Sequence, residues 1–97
     1  MRVISKRTLT DFWTTFPEAK NALDTWHAST SKANWTTTQD IKKIYSSASF
    51  LADCRVVFNI CGNKYRLVVR INYPAQIVYV RFIGTHADYD KINAETI

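Results

Sequence analysis

The side chains able to do chemistry are few, and they crowd into the second half of the chain. His86 carries an imidazole that exchanges protons near neutral pH, and Tyr89 places a phenol three residues on. Lys64, Arg66, Arg70 and Arg81 are cations set between apolar residues. A guanidinium presents a planar fork that fits phosphate or carboxylate oxygens. The set therefore suits holding an anion while a neighbouring group moves a proton. No Gly-rich phosphate loop, CxxC pair, HExxH or GxSxG occurs. His27 and His86, with Asp88 and Asp90, are too sparse to suggest a metal site.

Positioning these side chains falls to the stretch from Cys54 to Asp90. Two β-prone runs, Arg55 to Cys61 and Lys64 to Ile71, flank Gly62-Asn63, and a two-residue glycine-containing link between such runs signals a hairpin. With Cys61 and Lys64 closing the turn, Val56 faces Val69, Phe58 faces Leu67 and Ile60 faces Tyr65 on an apolar side. The other side pairs Arg55 with Arg70, Asn59 with Arg66 and Val57 with Val68, and carries Lys64. Asn63 reads as a turn residue tolerant of left-handed backbone. Like charges placed opposite each other cost stability, so a sheet face of this kind points to an anionic partner.

A third run, Ile77 to Ile83, follows the loop Tyr73-Pro74-Ala75-Gln76, which keeps Pro74 out of the ladder. This spacing predicts Val78, Val80 and Phe82 on the apolar side. Tyr79 then lies opposite Arg70, and Arg81 opposite Val68, on the cationic side. Val57, Val68, Ile77 and Ile83 are the long apolar residues left outside the core. Thr85 to Ile92 is expected to form one helical turn capped by Thr85, with His86 and Tyr89 on one face; Asp88 and Asp90 are expected to solvate it or pair with arginine.

Upstream, Arg2 to Ser5 reads as an extra strand of the same sheet. Leu9, Phe12, Trp13 and Phe16 trace an amphipathic helical stripe, and Ala19, Ala22, Leu23 and Trp26 trace a second. Pro17 fits the first position of the second helix. These two main helices are expected to cover the apolar side of the sheet, with the three tryptophans, Trp13, Trp26 and Trp35, in helix contacts or core. Ala28 to Asn34 has loop composition. Thr36 to Asp40 offers a helix N-cap with an acid or amide three residues on, and Ser46 to Asp53 reads as a linker.

Size and composition bound the function. The 97 residues suffice for one core, so residues 1–97 are expected to form a single domain, and 46% hydrophobic residues argue against disorder. The net charge of +5 favours a polyanionic partner. Cys54 and Cys61 sit at opposite ends of one strand, roughly 23 Å apart, beyond disulfide reach and consistent with reduced thiols. No leader and no apolar run of about 20 residues is present, so a cytoplasmic protein without a membrane partner is expected.

The run FNICGNKYRLVV, followed by FIGTHADYDKI, resembles the HigB toxin family within the RelE-like group of bacterial toxins. Phe58-Asn59-Ile60, Gly62 to Val68, Thr85-His86 and Tyr89-Asp90-Lys91 carry the match, and WTTTQDIKKIY (Trp35 to Tyr45) resembles the middle of that family. The resemblance implies an α+β, RelE-like fold: a mixed sheet of about four strands, helices on one face and the RNA site on the other. It implies an mRNA interferase, an endoribonuclease that cuts mRNA, usually on the ribosome, until a cognate antitoxin neutralises it. That partner would be a HigA-like helical protein, often a helix-turn-helix DNA binder; no DNA contact by this chain is expected. A 2′-hydroxyl attacks its neighbouring phosphate without a metal when proton transfer and charge stabilisation are supplied, so no cofactor is expected. Lys64, Arg66, His86 and Tyr89 are the expected catalytic set, and Asn59, Arg70, Tyr79 and Arg81 the expected substrate contacts. A non-catalytic RNA-binding module on the same face, or an interaction protein taking an acidic peptide, uses the same residues differently.

Overall fold

In chain order the elements are β1 (Arg2–Ile4), α1 (Lys6–Thr15), a 3-10 turn (Pro17–Ala19), α2 (Lys20–Lys32) and α3 (Thr38–Ile44). They are followed by β2 (Ser49–Phe50), β3 (Arg55–Ile60), β4 (Tyr65–Asn72), β5 (Ile77–Thr85) and α4 (His86–Tyr89). They come from a computed structural model that describes residues 1–97. The strands make one sheet in the order β1-β5-β4-β3-β2, with β1 parallel to β5 and every other neighbour antiparallel. The class is α+β, as expected, with five strands in place of about four. The additional strand is β2, where the supposed linker lays Ser49 and Phe50 against Val57 and Val56.

The central hairpin has the expected register at every position, from Arg55 opposite Arg70 to Ile60 opposite Tyr65. Its turn differs in detail. Left-handed backbone falls on Cys61 (φ 53°) and Gly62 (φ 67°), leaving Asn63 out of that region. Between β4 and β5 the pairing also begins as expected, with Asn72 opposite Ile77 and Arg70 opposite Tyr79. Beyond Val69 opposite Val80 it shifts by one residue: Phe82 faces Val68, and Arg81 is the extra residue of a β-bulge. A one-residue shift exchanges the faces of everything beyond it. Ile83 therefore packs with the main core, and Phe82 turns to the opposite face.

Helices α1, α2 and α3 cover one face of the sheet. Leu9, Leu23, Trp26, Trp35 and Ile41 meet Phe58, Leu67, Val69 and Val78 there. Phe58 is gripped by Trp26 and Trp35, at ring-centroid distances of 5.4 and 6.4 Å. The helix α2 continues through Lys32, so most of the expected Ala28–Asn34 loop is helical; burial of Thr30 against the core overrides a polar composition. Before α3, the Asp40 carboxylate accepts the Thr36 and Thr37 backbone N–H groups at 2.9 and 3.2 Å. These bonds stabilise the anion and hold Asp40 below the usual carboxylate range. No helix is long and apolar enough to cross a membrane.

The second face is not bare. Val57 and Val68, expected outside the core, form with Ala94 a smaller apolar cluster against which Leu51, Phe82, Tyr89, Ile92 and Ile97 pack. The segment after β5 thus lies across the middle of the face and divides it. At the His86 end, the Phe82 ring lies over Gly84, so closely that a Cβ added to Gly84 would come within 2.5 Å of the ring's Cζ. Gly84→Ala is expected to push the ring off this position and cost about 1–3 kcal/mol. Urea unfolding of the variant checks this, and an unchanged midpoint would contradict the packing described.

Candidate functional site

The site is assembled where three backbone segments meet at one end of the sheet. Arg66 stands on β4, flanked by Asn59 of β3 and Gly84 of β5. Immediately after β5, the Thr85 hydroxyl accepts the Asp88 N–H at 3.1 Å and starts the α4 turn, as the sequence predicts. The His86 N–H donates to the Lys64 carbonyl at 3.2 Å, which ties the turn to the β3–β4 hairpin. These bonds bring His86 and Tyr89 to the Arg66 end of the face.

Within this corner, the Arg66 guanidinium lies 5.9 Å from the centre of the Tyr89 ring. Tyr89 also packs against Phe82, with ring centroids 6.5 Å apart. The phenol thus serves as wall of the small core and as platform for Arg66. His86 Nδ1 is 3.2 Å from Asp90 Oδ2. With Nδ1 donating to that carboxylate, Nε2 is the nitrogen left to exchange a proton with a substrate. Asp90 was expected only to solvate the turn or pair with arginine; its four-residue spacing from His86 is the sequence signal for an orienting partner.

Lys64 departs from expectation. Its ammonium is paired with Glu18 Oε2 at 2.6 Å, toward the helical layer and away from the sheet face that strict alternation assigns it. The pull comes from the turn between α1 and α2, where the other Glu18 oxygen accepts the Tyr65 hydroxyl. Bonds from Lys64 and Tyr65 hold the Glu18 carboxyl below the usual carboxylate range, and Glu18 with burial pushes the Tyr65 phenol up to about 12. The pair is solvent-exposed on both sides and weakly held for that reason.

The other expected substrate contacts lie elsewhere. Arg70 and Tyr79 face each other four residues down β4, beyond the tail-covered belt. There Asp53 bridges the two arginines whose opposition the register predicts. Its Oδ2 accepts Arg55 Nη1 at 2.9 Å and its Oδ1 accepts Arg70 Nη2 at 3.1 Å. Arg55 is only 7% exposed. Removing such a charge from water costs several kcal/mol unless it is paired, and Asp53 with the Ile97 main-chain oxygen, 2.8 Å from Nη2, meets that need. Arg81, in the bulge, donates from Nε to the same Ile97 oxygen at 3.2 Å. The cationic face expected to be continuous is therefore split: Arg66 stays with His86 and Tyr89, whereas Arg70 and Arg81 are engaged elsewhere.

A five-stranded mixed sheet with helices on one face fits the RelE-like fold class. Residues 19–92 match the model of the HigB toxin family, described as the RelE-like toxic component of a toxin-antitoxin system, and the chain belongs to that family. All eight expected site residues lie inside the matched span. The chain is also similar to the mRNA interferase toxin HigB of Escherichia coli K12 and the mRNA interferase HigB of Shigella flexneri. Each is 27% identical over 96 residues, covering 97% of this chain and 92% of the relative.

The Asp53 bridge has a pH signature. Bonds from Arg70, and secondarily Arg55, hold its carboxyl below the usual range. A depressed folded-state pKa contributes stability that is present above the ordinary carboxylate pKa and is lost as pH falls through the folded value. Urea midpoints followed from about pH 6 to about pH 3 should fall, and Asp53→Asn should lower the neutral-pH midpoint and flatten that slope. Glu18 and Asp40, lowered in the same direction, and His27, lowered by burial, contribute to the slope that remains.

Proposed function

We propose that this chain is an mRNA interferase: an endoribonuclease toxin that cuts mRNA during translation, on the cytoplasmic ribosome, and is neutralised by a HigA-like helix-turn-helix antitoxin. The observation that carries the reading is the meeting of Arg66, Tyr89 and an Asp90-oriented His86 in one exposed corner. Family membership and the names of the relatives support the same activity.

In the proposed reaction the 2′-oxygen attacks the adjacent phosphorus while its proton is removed. The bond from phosphorus to the 5′-oxygen breaks, and that oxygen takes up a proton. The products are a 2′,3′-cyclic phosphate and a free 5′-hydroxyl. His86 Nε2 carries one of these proton transfers, and Arg66 stabilises the charge that builds on the phosphoryl oxygens. An exposed cation–π contact such as Arg66 to Tyr89 is worth about 0.5–1 kcal/mol, whereas a hydrogen bond to a charged group reaches about 1.5–3 kcal/mol. A bound phosphate can therefore draw Arg66 off the ring. Tyr89, freed on that side, can hydrogen-bond the phosphate or stack on a base. Lys64 joins the catalytic set when substrate charge competes with Glu18, and Asn59, Arg70, Tyr79 and Arg81 are the proposed contacts to the flanking RNA.

The test is cleavage of mRNA by purified protein with ribosomes, followed by mapping of new 5′ ends. Cleavage is expected to leave cyclic-phosphate ends and free 5′-hydroxyls. His86→Ala and Arg66→Ala should each lower the rate by roughly a hundredfold to ten-thousandfold, with no more than about 1 kcal/mol lost from stability, and should abolish growth inhibition. Full activity in both variants would sink the site. Binding of RNA without new ends would make the protein a binding module.

A further inference from the structure

At the end of the face away from His86, a cleft of about 310 Å³ opens beside Arg70, Asn72, Tyr73, Pro74 and Tyr79. We propose that this cleft receives the base of an RNA nucleotide flanking the cut and reads it, and does not serve as a second phosphate site. The proposal rests on the ribonuclease reading and specifies what one part of that surface recognises.

Two features separate a base from a phosphate here, and a third discriminates among bases. The first is charge. Arg70 already donates from Nη2 to Asp53 Oδ1 at 3.1 Å and from Nε to the Asp53 carbonyl at 3.3 Å. A phosphate entering beside it would meet an ionised carboxylate, whereas a neutral base would not be repelled. The second is shape. Tyr79 lies across the ladder from Arg70, and Tyr73 and Pro74 belong to the turn that closes the same cleft. Flat aromatic rings are the surfaces on which unpaired bases stack.

The third feature is the hydrogen-bonding left unspent. Asn72 Oδ1 accepts the Ala75 N–H at 3.1 Å, so its amide NH₂ retains both donors. Arg70 Nη1 has no protein partner. The charged and amide side chains of the cleft therefore offer donors, which suit the carbonyl oxygens of guanine, uracil and cytosine. Adenine has no such oxygen and offers these donors only its ring nitrogens. Arg70 is four residues from Arg66 along one strand, about 13 Å, so an extended RNA held at His86 and passing over the tail-covered belt can place a nearby nucleotide in the cleft.

Nucleoside 5′-monophosphates contain no internucleotide bond to cut, so the wild-type full chain can be titrated directly. Nitrogen-15 NMR would follow Arg70 Nε and the Tyr79 amide during addition of GMP, UMP, CMP, AMP and ribose 5-phosphate. GMP and the pyrimidine nucleotides are expected to shift both signals, AMP to shift them less, and ribose 5-phosphate to leave them unmoved. Equal shifts with ribose 5-phosphate would overturn the proposal in favour of a phosphate site, and so would equal response to AMP or no response at millimolar nucleotide. In parallel, Tyr79→Ala should lose base preference at one position beside the mapped cut while the variant stays folded; an unchanged cleavage pattern would overturn the proposal. If the wild type cuts no RNA, the ribonuclease reading fails, and the titration still reports independently on the cleft.

Discussion

The arrangement depends on how β4 is paired along its two edges. With β3 its register is regular throughout, and with β5 it slips once, at Arg81. That extra residue sends Phe82 to the face opposite the helices and Ile83 to the helical side. Phe82 then has Gly84 beneath its ring and Tyr89 beside it, and Tyr89 in turn carries Arg66. Without the slip, Phe82 would point into the helical core and the small apolar cluster would lose one of its two aromatic rings. The position of the Arg66 corner thus follows from a backbone irregularity three residues before Gly84.

The basic residues of this face solve two different problems. Arg55 and Arg70, placed opposite each other by the register, would repel; Asp53 between them makes the pair compatible with folding, and Arg55 is buried as a consequence. Their charge is largely spent on structure. Arg66 has no carboxylate partner. It contacts a tyrosine ring and the Asn63 carbonyl, at 3.2 Å. Its charge remains available to an anion, and it stands at the same corner as the imidazole.

Glu18 ties the helical layer to the same end of the sheet. It reaches from the turn between the first two helices to Lys64 and Tyr65 at the mouth of the hairpin, and the Lys64 carbonyl receives the His86 N–H. One carboxylate therefore links the helices, the hairpin and the turn that bears His86. Tyr65 also packs edge-on to Phe12 and Phe16, so aromatic packing supports the polar network from below. The corner that bears His86 is in this way held by rigid neighbours on two layers.

Local pattern alone determined much of this protein. Alternation and turn residues specify the central hairpin pair by pair, the helical stripes specify α1 and α2, and Thr85 specifies the turn that presents His86 and Tyr89. These are short-range relations, settled by periodicity of 2 or 3.6 and by capping chemistry. The family resemblance could be read from the same residues. Only the tertiary structure decided the rest: the bulge at Arg81, the extension of α2 through a polar segment, the return of the last residues over Val57 and Val68, and the diversion of Lys64 to Glu18. Each depends on which distant surface a residue meets. A buried charge or ring takes the partner that best compensates its removal from water, and an exposed one such as Lys64 takes an opposite charge within reach. Spacing along the chain carries no record of a partner more than 40 residues away.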